Sequence, residues 1–247
     1  MRINREGCRA RVDFRTSDPT LDLIALRIIW KKDRRLWLDF AKRFPIFTTL
    51  SVWEDEACQS LIRKVYDDRR QEFLQARQFF NGWWSEIEDR WFSFLLEVFE
   101  SDSANNNMTF FADIGIAPIS PRDLDKERFL IPFYVSKSGV KRICAHETSH
   151  FFFYRKVKEI NFTVQPDERH LWLISEIFVP LLFSDHRSVS ILGQMPQDSY
   201  ICKQSLIERC QRIYQEELER ETGVKNLLKR LLQVKIVAEE LNQEFFD

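Results

Sequence analysis

Residues 143–152 read Ile-Cys-Ala-His-Glu-Thr-Ser-His-Phe-Phe, and the rest of the chain is best read outward from them. His146 and His150 are four residues apart. On an α-helix this spacing stacks two side chains on one face, one turn from each other. Two neutral imidazoles so placed can take two corners of a tetrahedral zinc site. Glu147 follows the first histidine and projects to the side of the metal position. A carboxylate there can accept a proton from a metal-activated water. Ile143, Cys144, Ala145, Thr148, Ser149, Phe151 and Phe152 are uncharged, and no proline interrupts them. A buried active-site helix needs such a frame, because a stray charge beside a metal requires its own partner. The plain alternative is a core helix with two hydrogen-bonded histidines.

This helix is predicted over residues 138–159. A second, apolar helix is predicted over 170–183, where Pro180 should kink it or cut it short. Upstream, 108–119 and 128–136 are β-like runs joined by a turn containing Pro121, Asp123 and Asp125. Pro132 lies in the second run. Proline cannot donate a ladder hydrogen bond, so that strand is expected at a sheet edge. Residues 161–164 read as a short extended piece.

Further out, apolar residues recur at helical steps over 20–44, 54–65 and 71–100, with Asp18-Pro19 as a start signal and Asn81-Gly82 as a possible interruption. Residues 101–107 are short, polar and linker-like. Residues 204–246 form an amphipathic helical tail broken near Gly223. The predicted fold class is α+β, mostly helical, with a small sheet and an active-site helix flanked by N- and C-terminal helices. Residues 1–105 read as a helical N-terminal region. Residues 106–247 read as a catalytic region with its tail, separate from the first part or continuous with it.

Composition narrows the partners. Lys plus Arg number 37 and Asp plus Glu 38, for a net charge of −1, and no basic cluster marks a nucleic-acid footprint. The 22 phenylalanines and seven tryptophans predict an aromatic core. The five cysteines are scattered and form no C-x-x-C, which predicts free thiols in a reducing compartment. Residues 1–14 lack the apolar core of a signal peptide, and no apolar run reaches the length of a membrane span. A cytoplasmic location is the expectation.

The segment Ile143 to Phe152 resembles the active-site helix of the zincin metallopeptidases. After His150 there is no H-x-x-G-x-x-H extension, so the metzincin pattern is absent. Ile174-Ser175-Glu176-Ile177-Phe178 lies on the second helix, with Glu176 placed 26 residues after His150. That arrangement is similar to the gluzincins, in which a Glu from a following helix completes the site. The resemblance implies a single zinc ion held by His146, His150 and Glu176, with a fourth position for water. Asp185, His170 and His186 are rivals for the third ligand. An acidic residue among Leu, Ile, Phe and Val is costly to bury unless paired or metal-bound, which favours Glu176. Gluzincins of the thermolysin kind often carry Asp four residues after the ligand Glu, and this chain has Pro180 there. The resemblance spans about residues 108–185; the remainder matches no known pattern.

The implied activity is hydrolysis of peptide bonds by a metal-activated water, with Glu147 as general base and a peptide or protein as substrate. Tyr154, His170 and His186 are possible donors to the oxyanion, as are Tyr134 and Tyr200. The edge-like strand at 128–136, or its neighbour, is a candidate for pairing with an extended substrate; the plain alternative is that Pro132 only protects an edge against aggregation. A second reading is a zincin scaffold whose helical flanks bind a partner, with weak proteolysis or none. A third is a zinc hydrolase acting on a non-peptide amide.

Overall fold

Alternation over Arg11-Val12-Asp13-Phe14-Arg15 turns Val12 and Phe14 into the core and forms the first strand, β1 (Arg11–Arg15). The computed structural model describes residues 10–16, 19–101, 107–161, 166–193, 203–220 and 223–236. β1 pairs in parallel with β2 (Thr109–Gly115), placing Arg11 opposite Thr109. β2 pairs in parallel with β4 (Arg128–Pro132), and β4 is antiparallel to the two-residue β3 (Arg122–Asp123). The sheet order is β1-β2-β4-β3.

Parallel neighbours cannot be joined by a tight hairpin. The connection from β1 to β2 therefore carries helices: α1 (Thr20–Lys32), α2 (Arg34–Arg43), α3 (Asp55–Asp68), α4 (Arg70–Ser85) and α5 (Glu88–Val98). After β4 come α6 (Lys137–Lys158), α7 (Glu168–Ser184), α8 (His186–Leu192), α9 (Gln204–Arg220) and α10 (Val224–Leu232). The protein is α+β and mostly helical. No helix among the described residues is long and apolar enough to cross a membrane.

The contacts divide the chain differently from a cut near residue 105. One compact unit takes residues 9–88 and 108–147 and contains the sheet with α1 to α4. The described part of the other comes from residues 89–107 and 148–247 and contains α5 and α7 to α10. The division runs through α6, which is one continuous helix. The physical reason for the interleaving is β1: a strand near the N-terminus finds its partner beyond the helices, which a linear reading does not reveal.

Several expectations shift by small amounts. The 20–44 helix breaks at Asp33, whose carboxylate accepts the Leu36 N–H at 2.8 Å and caps α2. Asn81 and Gly82 do not interrupt α4. Phe80 and Trp84, both buried, anchor the helix on either side of Gly82, and the break falls after Ser85. There the Glu88 carboxylate takes the Trp84 indole N–H and the Val12 backbone N–H, each at 2.7 Å. Pro180 lies inside α7 without ending it. The tail breaks at Gly223, whose φ of 83° suits glycine. Most of the extended piece expected at 161–164 and most of the linker at 101–107 lie outside the described residues.

The strand at 128–136 is a correction. β4 stops at Pro132 and is flanked on both sides, by β2 and β3, with all five residues buried. The proline is tolerated because of where its nitrogen points. Phe133 N–H donates to Gly115 of β2, whereas Leu130 N–H donates to Pro121 on the β3 side. Pro132 has the parity of Leu130, and the two-residue β3 pairs only with Arg128 and Phe129. Its missing donor therefore costs no ladder bond.

At the end of β2 a buried carboxylate ties the sheet to α1. Asp22 is wholly buried; its Oδ1 accepts the N–H groups of Ile116 and Ala117 at 2.8 and 2.7 Å, and its Oδ2 accepts the Tyr66 hydroxyl. Gly115 permits this approach, since a Cβ there would collide with the carboxylate and with Leu130. Burial pushes the Asp22 carboxyl up to about 6, against the opposing pull of these three hydrogen bonds. The folded protein thus holds this proton at pH values where the unfolded chain, with an aspartate value of about 4, has released it. The Asp22 contribution to stability should fall as pH rises from about 4 to about 6, then level off. Asp22→Asn should flatten that slope in urea unfolding followed across the range. Asp22→Ala, which removes the acceptor for three donors, should cost about 2–4 kcal/mol. An Asn variant that keeps the wild-type slope would show that another group titrates.

Candidate metal centre

The start of α6 is fixed by a local cap and by an acid from upstream. Ser136 accepts the Gly139 N–H at 3.2 Å, and Glu86 pairs with Lys137 and, at 2.7 Å, with Lys141. Arg155, Lys156 and Lys158 in the last turn complement the helix dipole. The helix runs unbroken through His146 and His150, so the two imidazoles share a face as the four-residue spacing predicts.

His150 is wholly buried, and Glu176 of α7 is 5% exposed. Their Nε2 and Oε1 atoms stand 3.5 Å apart. His146, Glu176 and His150 each offer one ligand atom, all within 4.8 Å of one another. Two atoms bound to one zinc at 2.0–2.2 Å in tetrahedral geometry lie about 3.4 Å apart. The His150–Glu176 separation matches that edge, and the donor set of two imidazoles and a carboxylate suits a divalent transition metal. The three residues could hold a metal ion. Among the described residues no other such group of His, Cys, Asp or Glu occurs.

α7 presents Glu176 through local ties. Asp167 caps the helix by accepting the His170 N–H at 2.8 Å. Ser175 Oγ bonds to the Trp172 carbonyl at 2.7 Å and lies 3.3 Å from the Tyr154 hydroxyl. Pro180 withholds the N–H that would bond the Glu176 carbonyl in a regular helix.

The rival ligands are engaged elsewhere. Asp185 is a buried cap of α8, bound by Arg187 through Nε at 3.0 Å and Nη2 at 2.7 Å, with the Tyr214 hydroxyl 3.3 Å away. Burial pushes its carboxyl up, but the Arg187 bonds prevail and hold it below the usual value. His170 directs Nε2 to the Leu232 carbonyl at 3.0 Å. The His186 side chain is 91% exposed. Of the expected oxyanion donors, Tyr154 is tied to the residue beside Glu176, and Tyr134 donates to the Ile116 carbonyl at 3.2 Å. Tyr200 lies outside the described residues.

Glu147 is 4% exposed and accepts a hydrogen bond from Arg122 Nη1 at 2.9 Å. Sequence reading missed Arg122. It stands in a short charged turn, Pro121-Arg122-Asp123, where an arginine normally faces water, and only the pairing of β3 with β4 turns it inward.

Comparison with protein-family models, curated proteins and solved structures finds no match to this chain.

A metal ion in this site should raise thermal stability by mass action, by about 2.7 kcal/mol at a hundredfold excess over Kd. Zinc added to metal-stripped protein is expected to raise Tm for the wild type and to leave Glu176→Gln and His150→Ala unmoved. Equal increments in all three would place the binding elsewhere.

Proposed function

We propose that the protein is a zinc-dependent peptidase in which His146, His150 and Glu176 hold one ion and Glu147 is the general base. The observation that carries this reading is the gathering of two imidazoles from one helix face with a buried carboxylate from the next helix. A buried anion needs compensation, and a divalent cation would supply it. An ion held by His146, His150 and Glu176 would supply Lewis acidity and lower the pKa of a water. Glu147 is adjacent to the first histidine and inside the protein, where it can hold that proton and pass it to the leaving amine. Tyr154 stands one turn beyond His150 on α6 and is a candidate donor to developing negative charge.

The substrate is an extended peptide. With β4 enclosed, the strand open to augmentation beside Glu147 is β3, which carries Arg122. Cys58, Cys144 and Cys210 are buried as thiols rather than joined in disulfides, which supports a reducing, cytoplasmic setting.

Glu147→Gln keeps the shape of the side chain and removes its basicity. The variant is expected to retain one zinc per chain by mass spectrometry of metals and to lose turnover of a mixed peptide library by about 10²–10⁴-fold. Wild-type protein that takes up no zinc from a metal-supplemented medium would end the metallopeptidase reading. Tight zinc with every peptide left intact would favour a scaffold that binds a partner.

A further inference from the structure

β3 is only two residues long, yet it is held from several directions. Its residues pair with Arg128 and Phe129, and the Leu130 N–H donates to Pro121 immediately before it. The Asp123 carboxylate accepts the Lys126 N–H at 3.1 Å and the Arg128 Nε at 3.3 Å. Arg128 in turn reaches Asp113 of β2 at 3.6 Å. This turn is therefore a rigid mount, and the side chain it presents inward is that of Arg122, largely buried against Glu147. A guanidinium is a planar fork of donors and fixes the direction of the carboxylate it binds, which an exposed or apolar neighbour cannot do.

We infer that Arg122 is the positioning residue of Glu147, an inference that rests on the peptidase reading above. Glu147 lies about 100° around the helix from His146, beside the histidine face rather than on it. Several rotamers are open to a glutamate there, and one must be selected for proton transfer to succeed. The salt bridge from Arg122 Nη1 to Oε2 selects it. Compensation of a buried charge alone would require only a cation nearby; positioning requires this geometry, and the two differ in what they do to turnover.

The experiment has two arms on the full chain. In metal-stripped protein, urea unfolding of wild type, Arg122→Met, Glu147→Gln and the double variant forms a thermodynamic cycle. The two losses should fail to add, by about tenfold in the unfolding constant. In zinc-loaded protein, assayed with fluorescence-quenched peptides, Arg122→Met should lower kcat about a hundredfold, with KM and zinc content within about twofold. Arg122→Lys should recover about tenfold of that loss. Additive stabilities in an active enzyme would overturn the role of Arg122 and leave the peptidase reading standing. So would a kcat within twofold of wild type for Arg122→Met, or a lysine variant no better than the methionine one. A wild type that binds no zinc and cuts no peptide removes the peptidase reading and the inference with it.

Discussion

Taking a carboxylate out of water costs several kcal/mol unless a cation or a set of donors replaces the lost solvent. This chain buries Glu147 and Glu176 in consecutive helices and places His150 wholly inside beside the second. Everything about the candidate site follows from how these charges are compensated. Arg122 answers Glu147. Glu176 lies beside imidazoles, which are neutral ligands when they bind a metal and cations only when protonated. A metal ion held there would offset the charge of Glu176 without requiring a protonated histidine. Both compensations depend on α6 staying helical through this stretch, because one turn of helix sets the spacing of the two imidazoles.

The same economy appears where no metal is in question. Asp22 is compensated by donors alone, two from the backbone after β2 and one from Tyr66, and Gly115 provides the space for it. Asp185 is compensated by Arg187 and helps to cap α8. Glu147 and Asp185 are answered by arginines, and Asp22 by neutral donors. Among the described residues, only Glu176 of these acids lies in a group that could hold a metal ion.

Aromatic packing supplies the frame in each unit. Trp37, Phe40 and Phe47 pack with ring centroids 4.9–6.3 Å apart in one unit, and Phe99, Phe152, Phe153 and Phe178 pack at 5.5–5.7 Å in the other. Such rings bury large apolar areas with few rotatable bonds, so helices carrying them are held in defined orientations. The turns of α6 and α7 that carry His150 and Glu176 gain from this. Phe153 and Phe178 lie close to His150 and Glu176 in sequence and touch each other.

The helices, the mostly helical α+β class and the shared face of His146 and His150 were legible in the sequence, because 3.6-residue periodicity is a local property that each segment carries in its own residues. Glu176 stood out for a related reason: it is the one acid in a long apolar run. Tertiary structure alone decided the rest. β1 is five residues whose partner lies beyond five helices, so its pairing depends on long-range closure and leaves no local mark. The enclosure of β4 depends on a two-residue strand too short to show any periodicity. The pairing of Arg122 with Glu147 joins a turn to a helix, and nothing in either segment names the other. Local spacing determined which side chains could act together on one helix, and the folded chain determined which distant charges meet them.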